Sequence, residues 1–236
     1  MQIFIDSANE KEIRYLIKQG IVDGVTTNPT IMLKDGIHDV EGAAKRLSSL
    51  LGDRPLSVEV TTNDHPQMLE QARTFATWGR NIVVKVPVVN EFGESSLDVI
   101  NELTGEAIAV NATAILSFNQ AVLATKAGAT YISIFAGRIA DEGNDPVLTI
   151  RNVRGWLDEW EYSAKIIVGS VRTAIDIQNA ALAGAHIITV PPPFFAKMID
   201  HKYTRDTVRQ FNRDAEKALQ QIAVAQAAAV VSGNGK

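Results

Sequence analysis

Lys85 sits in the middle of Ile82-Val83-Val84-Lys85-Val86-Pro87-Val88, an apolar run with β-branched residues at most positions. Runs of this kind read as strands buried on both faces, as in parallel sheets. An ammonium there loses its hydration, and no neighbour in sequence offers a counter-charge. Desolvation favours the neutral amine, and a neutral amine can condense with a ketone to a Schiff base. The alternative is a strand-end lysine whose head group reaches water.

Polar residues at the ends of other apolar runs supply what such a nucleophile needs. They are Asp6, Thr26, Thr27, Asn28, Glu59, Asn111, Thr113, Ser133, Arg138, Ser170 and Arg172. Asp6 and Glu59 are the acidic residues of the set and the candidates for moving protons. Asn28, Asn111 and Ser133 have the donors and acceptors to hold sugar hydroxyls. Arg138, Ser170 and Arg172 suit a phosphate, because guanidinium groups bind its oxygens in pairs and Gly169 lets backbone approach closely. Taken singly, each has another explanation. Asp6 can cap a helix, Asn28 can form an Asx turn before Pro29, Thr26 and Thr27 can be ordinary strand residues, Asn111 and Ser133 can brace loops, and the arginines can be solvated surface charges. The four histidines are scattered, with no pair at ligand spacing.

The elements that must bring these residues together alternate. Strands are expected at 3–5, 24–29, 56–60, 82–88, 107–111, 130–134, 165–170 and 186–190. Helices are expected from Ser7 or Asn9 to about Gln19, and over 39–51, 66–78, 95–103, 118–127, 146–159 and 173–183. Every strand except the eighth ends in a residue of the polar set. Alternating βα units suit an open doubly wound sheet or a closed barrel. Eight similar units without a glycine-rich phosphate loop favour an α/β fold with a single (β/α)8 TIM barrel spanning residues 1–236. In such a barrel the strand ends share one mouth. Beyond the eighth unit, residues 204–231 read as one long helix. Its stripe of Val208, Phe211, Ala215, Ala218, Ile222, Ala225 and Ala229 keeps heptad spacing, with Leu219 beside it. Contact with another subunit is the preferred reading, docking on its own barrel the alternative. Residues 232–236 read as a frayed tail.

Composition agrees with one large core. Of 236 residues, 46% are hydrophobic and the net charge is −4. That balance argues against nucleic acid or an anionic membrane as a general partner. With no cysteine there is no disulfide and no thiolate chemistry, which fits a cytoplasmic protein. The start at Met1-Gln2-Ile3-Phe4-Ile5 has no signal-peptide pattern, and no apolar run is long enough to span a membrane.

At this point the strings resemble a known family, the small transaldolases and fructose-6-phosphate aldolases. The likeness runs from Phe4-Ile5-Asp6 to about Pro191. It rests on Gly24-Val25-Thr26-Thr27-Asn28-Pro29 and Val84-Lys85-Val86-Pro87, supported by Val110-Asn111-Ala112-Thr113, Ile132 to Arg138, and Ser170-Val171-Arg172. The resemblance implies that Lys85 forms a Schiff base with a ketose phosphate and that Asp6 is the acid/base group. Glu59 and Thr113 would hold a catalytic water, with Thr26, Asn28, Asn111 and Ser133 around the dihydroxyacetone unit and Arg138, Ser170 and Arg172 at the phosphate. It implies no metal or organic cofactor. It implies sugar phosphates of the pentose phosphate pathway as substrates, and homo-oligomers (pentamers or decamers) using the C-terminal helix. Aldolases of this family carry glutamine and tyrosine where Glu59 and Phe135 stand, so the resemblance favours transfer over free dihydroxyacetone release. Ala112, Ala114-Ile115-Leu116, Ile134, Ala136 and Val171 depart from the family strings. A relative acting on another sugar phosphate, or on a sulfonated sugar, would share the remaining residues.

Overall fold

Eight parallel strands close into a barrel in sequence order. The structure, a computed structural model, describes residues 1–233; of the tail expected over 232–236, residues 232 and 233 belong to the last helix and 234–236 lie outside the described residues. The strands are β1 (Gln2–Asp6), β2 (Gly24–Thr26), β3 (Leu56–Glu59), β4 (Ile82–Pro87), β5 (Val110–Ile115), β6 (Tyr131–Phe135), β7 (Lys165–Gly169) and β8 (Ile187–Val190). The helices are α1 (Glu10–Lys18), α2 (Pro29–Lys34), α3 (Val40–Leu51), α4 (His65–Ala76), α5 (Leu97–Gly105), α6 (Phe118–Lys126), α7 (Ala136–Asp141), α8 (Pro146–Glu159), α9 (Ala174–Leu182), α10 (Pro192–Ile199) and α11 (Lys202–Gly233).

The chain divides into two compact units, Met1–Phe194 and Phe195–Lys236. The first holds the barrel and every candidate site residue. The second is dominated by α11, whose residues Thr207 to Ala229 are all exposed, the apolar Phe211 and Ile222 included.

Side chains alternate along a strand, so residues two apart share a face. Phe4, Ile167 and Ile187 are fully buried together, with Tyr131 packed against them, forming a layer of the barrel interior. Two residues on, the same strands place Asp6, Gly169, Thr189 and Ser133 on that inward face. Residues one off this phase, such as Ile5, Ile166 and Ile188, are also fully buried and face the helical layer. Each such aliphatic side chain contributes about 1.5–3 kcal/mol on leaving water. The two-sided burial explains why the strands read as continuous apolar runs.

Helix starts cluster at the barrel's C-terminal rim and are capped there. Asn9, Asn28, Asp64 and Ser117 accept backbone N–H bonds from the first turns of α1, α2, α4 and α6, and Thr173 forms a capping box with Asp176 on α9. Each cap is worth about 1 kcal/mol. Together they fix the loops that surround the site.

β5, expected at 107–111, lies at Val110–Ile115. Ala107 takes a φ of 60°, ending the turn before pairing begins. The short helices α2, α7 and α10 have no counterpart in the expected pattern, and α5 runs through Gly105 rather than stopping before it.

Candidate active site

β3 and β4 pair so that Glu59 lies directly across from Lys85. Their side chains meet with Nζ 2.9 Å from Oε2. Lys85 is buried, and its Nζ also donates to the Thr27 carbonyl at 3.3 Å. The counter-charge missing from the local sequence thus comes from the neighbouring strand. The Phe135 ring completes one wall, its centroid 5.9 Å from Nζ, at the outer range of cation–π contact.

Across the mouth, Thr26 donates to Oδ1 of Asp6 at 2.8 Å. The Thr26 hydroxyl also lies 2.5 Å from that of Thr189. Burial pushes the Asp6 carboxyl above its usual range. Lys85 and the Thr26 bond oppose that, whereas the negative charges of Glu59 and Asp35 reinforce it. Asp6 is not the helix cap that its position also allowed; Asn9 caps α1.

Asp6, Thr26, Asn28, Glu59, Lys85, Ser133, Phe135, Arg138, Ser170 and Thr189 line one cavity of about 480 Å³, with Gly169 and Pro29-Thr30-Ile31 on its rim. Its size suits a small metabolite. Asn28 serves twice, since its Oδ1 caps α2 through Ile31 N–H while the residue lines the cavity. Asn111 stands behind the wall. Its amide donates to Ser57 at 3.2 Å and its oxygen accepts from Ser133 at 2.7 Å, fixing the Ser133 rotamer. Thr113 is buried, and its hydroxyl has no protein partner among the described residues.

Arg172 departs from the expected placement. Its guanidinium pairs with Asp141 at 2.7 Å and lines a neighbouring cavity of about 250 Å³ between α7, α8 and α9. Its backbone N–H is held by Asp176. Gly169 lines the main cavity, and a close approach of protein backbone occurs at Gly137. A Cβ on Gly137 would lie 2.2 Å from the Ser170 carbonyl, which accepts the Gly137 N–H at 3.1 Å. Ser170 itself takes a φ of 59°, a left-handed conformation that aims it at the cavity mouth.

Thr189, Ser57 and Asp141 join the site in the structure beyond the polar residues expected from the strand ends. Thr189 reads as one hydroxyl in an apolar strand; the available signal was its spacing of two from Ile187. The departures at Ala112 and Ile134 are fully buried, one residue off the inward positions Asn111 and Ser133, and so face the helices rather than the mouth. Ala114 and Leu116 do reach the rim, lining a side cavity that shares Phe135 and Arg138 with the main one. Among the described residues no group of three or more histidine, cysteine or acidic side chains is placed to hold a metal ion, and no helix is long and apolar enough to cross a membrane.

This geometry has relatives. A mandelate oxidase bearing the C4a-OH-FMN adduct superposes with a TM-score of 0.58 at 14% identity, over 81% of this chain and 65% of that one, a likeness of barrel fold alone. A probable transaldolase of Streptococcus equi subsp. zooepidemicus (strain MGCS10565) is 42% identical over 214 residues, covering 91% of this chain and 97% of the relative. A probable transaldolase of Streptococcus pyogenes serotype M5 (strain Manfredo) is 41% identical over the same coverage. The transaldolase/fructose-6-phosphate aldolase family model matches residues 3–232. The chain therefore belongs to the transaldolase/fructose-6-phosphate aldolase family.

Proposed function

We propose that this enzyme is a transaldolase, moving a dihydroxyacetone unit from a ketose phosphate such as fructose 6-phosphate or sedoheptulose 7-phosphate to an aldose phosphate. The observation that carries the proposal is the buried Lys85 amine beside Glu59 at the mouth of a barrel that also presents Asp6. In this reading Glu59 accepts the proton that Lys85 must lose. The amine adds to the ketose C2 carbonyl, water leaves, and an iminium forms. Asp6 takes the proton of the C4 hydroxyl as the C3–C4 bond breaks. The aldose phosphate departs, and the electron pair stays on the Lys85-bound three-carbon enamine. An incoming aldehyde reverses these steps, and water then releases the new ketose from Lys85.

Glu59 and Thr113 hold the water of the addition and release steps; the unpartnered buried hydroxyl of Thr113 supports that role. Asn28 and Ser133, the latter oriented by Asn111, hold the three-carbon unit. Arg138 and Ser170 meet the phosphate, and Arg172 joins them on leaving Asp141. Phe135 offers no hydrogen bond at the reacting centre, which favours transfer over release of free dihydroxyacetone. We place the reaction among the sugar-phosphate exchanges of the pentose phosphate pathway, in the cytoplasm, a compartment that suits a cysteine-free chain. We further propose one functional barrel per chain, with the exposed apolar stripe of α11 (Val208, Phe211, Ile222) joining chains in a homo-oligomer.

Intact mass after incubation with fructose 6-phosphate and borohydride tests the chemistry, with and without erythrose 4-phosphate. A reduced three-carbon adduct on Lys85 that disappears when the acceptor is supplied is the expected result. An adduct unaffected by acceptor, with free dihydroxyacetone accumulating, assigns the aldolase reaction instead. No adduct with any ketose phosphate removes the Schiff-base reading.

A further inference from the structure

We propose that Thr189, on β8, is a positioning residue that acts through Thr26 to hold Asp6 as the charged proton acceptor. The proposal rests on the reading of Asp6 as the proton carrier and adds the part of the device that lies outside the residues expected at the site.

Proton counting sets the direction of the bonds. A threonine hydroxyl has one proton to give. Thr26 gives its proton to Asp6 Oδ1 at 2.8 Å. The 2.5 Å contact between Thr26 and Thr189 must then be Thr189 donating into the Thr26 oxygen. The result is a directed chain, Thr189 to Thr26 to Asp6, in which each bond polarises the next. Both threonines are buried, at 2% and 5% exposure, so water competes little for their protons. Asp6 Oδ2 receives no hydrogen bond from a described residue, which leaves that oxygen for substrate. β1 pairs with both β2 and β8, with Asp6 beside Thr26 and Phe4 beside Thr189, so the three side chains are positioned by ladder bonds.

The chain also responds to the reaction. While Asp6 is charged, all three groups are satisfied in one direction. Once Asp6 has taken the substrate proton on Oδ2, Oδ1 still accepts from Thr26, but as a neutral acid oxygen, and a hydrogen bond to an ionised acceptor is roughly twice as strong. The arrangement therefore favours the carboxylate and opposes burial, which pushes Asp6 toward the neutral acid. The charged groups around Asp6 are Lys85 from β4, Glu59 from β3 and Asp35 at the end of α2. β2 and β8 contribute hydroxyls only.

Thr189→Val keeps the side-chain shape and removes the donor. Thr189→Ser keeps the donor and removes the methyl group, which faces Gly169. Proton binding by Asp6 is read without activity, as the difference between potentiometric titrations of each protein and its Asp6→Asn counterpart. In Thr189→Val the Asp6 titration moves to higher pH, the acid limb of kcat moves with it, and kcat falls about tenfold with KM little changed. Thr189→Ser restores all three. Should the valine variant not fold, Thr189→Ala carries the same comparison. An unshifted Asp6 titration, or valine and serine variants that behave alike, would overturn the proposal while leaving the transaldolase reading intact. A shifted titration in a protein with no Schiff-base activity would support the hydroxyl chain and remove only that reading.

Discussion

Lys85 Nζ and Glu59 Oε2 lie 2.9 Å apart, 5% and 18% exposed, on residues that face each other across the β3–β4 ladder. Two charges withdrawn from water this far tolerate each other only as a pair. Glu59→Gln keeps a hydrogen-bond acceptor and removes the charge. The retained acceptor makes the change milder than deleting one partner outright, so a loss of about 1–3 kcal/mol is expected in urea unfolding at constant m-value. Stability equal to or above that of the parent protein would show that the pair contributes nothing.

Phe135→Tyr adds a hydroxyl to a ring whose centroid is 5.9 Å from the amine. Free dihydroxyacetone from fructose 6-phosphate without acceptor is expected to rise about tenfold, with slower transfer to erythrose 4-phosphate. An unchanged partition between release and transfer would place the determinant elsewhere.

Asp141 neutralises Arg172 outside the main cavity through a half-exposed pair. Asp141→Asn frees the guanidinium for substrate phosphate, so KM for phosphorylated donors should fall by roughly threefold to tenfold, on the scale of one charge-assisted hydrogen bond. KM for unphosphorylated dihydroxyacetone donors should not move. A parallel change for both donors would rule out competition for the phosphate.

His186 gives a pH prediction with a definite sign. Its Nδ1 accepts the Ile166 N–H at 3.0 Å, so that nitrogen carries no proton. Burial, then Arg154, lowers its pKa from 6.5. The unfolded chain therefore takes the proton at higher pH than the folded one. Stability from this site is complete above about 6.5 and is lost as pH falls through that value toward the folded pKa. Differential scanning calorimetry from about pH 7.5 to about pH 5 should show the parent losing Tm relative to His186→Gln. Parallel curves would show that His186 does not titrate on unfolding.

Local patterns made most of the barrel legible. Strands buried on both faces announce themselves as apolar runs, and the motif strings carrying Lys85, Asp6 and Asn28 are contiguous. The family those strings resembled is the one whose model matches the chain. What local patterns lack is long-range pairing. The Glu59 partner of Lys85 and the Thr26–Thr189 contact join residues 26 and 163 positions apart, set by register alone. Short helices escaped for another reason. α2 and α7 are six residues each, too brief for helical periodicity to emerge, and α7 begins immediately after Phe135. The Gly169-Ser170-Val171-Arg172 turn groups Arg172 with Ser170, but the left-handed backbone at Ser170 sends the two toward different cavities.

The residues around the cavity fall on two kinds of support. Asp6, Thr26, Glu59, Lys85 and Thr189 ride on barrel strands, whereas Asn28, Thr30, Ile31 and Arg138 ride on one- and two-turn helices at the rim. Displacing a strand residue disturbs ladders on both sides; the rim helices take no part in the ladders, and α7 is tied to its neighbours by the Gly137 N–H bond to the Ser170 carbonyl and the Asp141–Arg172 pair. If the strand residues carry the proposed chemistry, chemistry and choice of substrate are separately heritable in this architecture. Under the proposed mechanism, natural drift or a mutant library directed at the rim would change which sugar phosphate is accepted while the strand residues pass unchanged from parent to descendant.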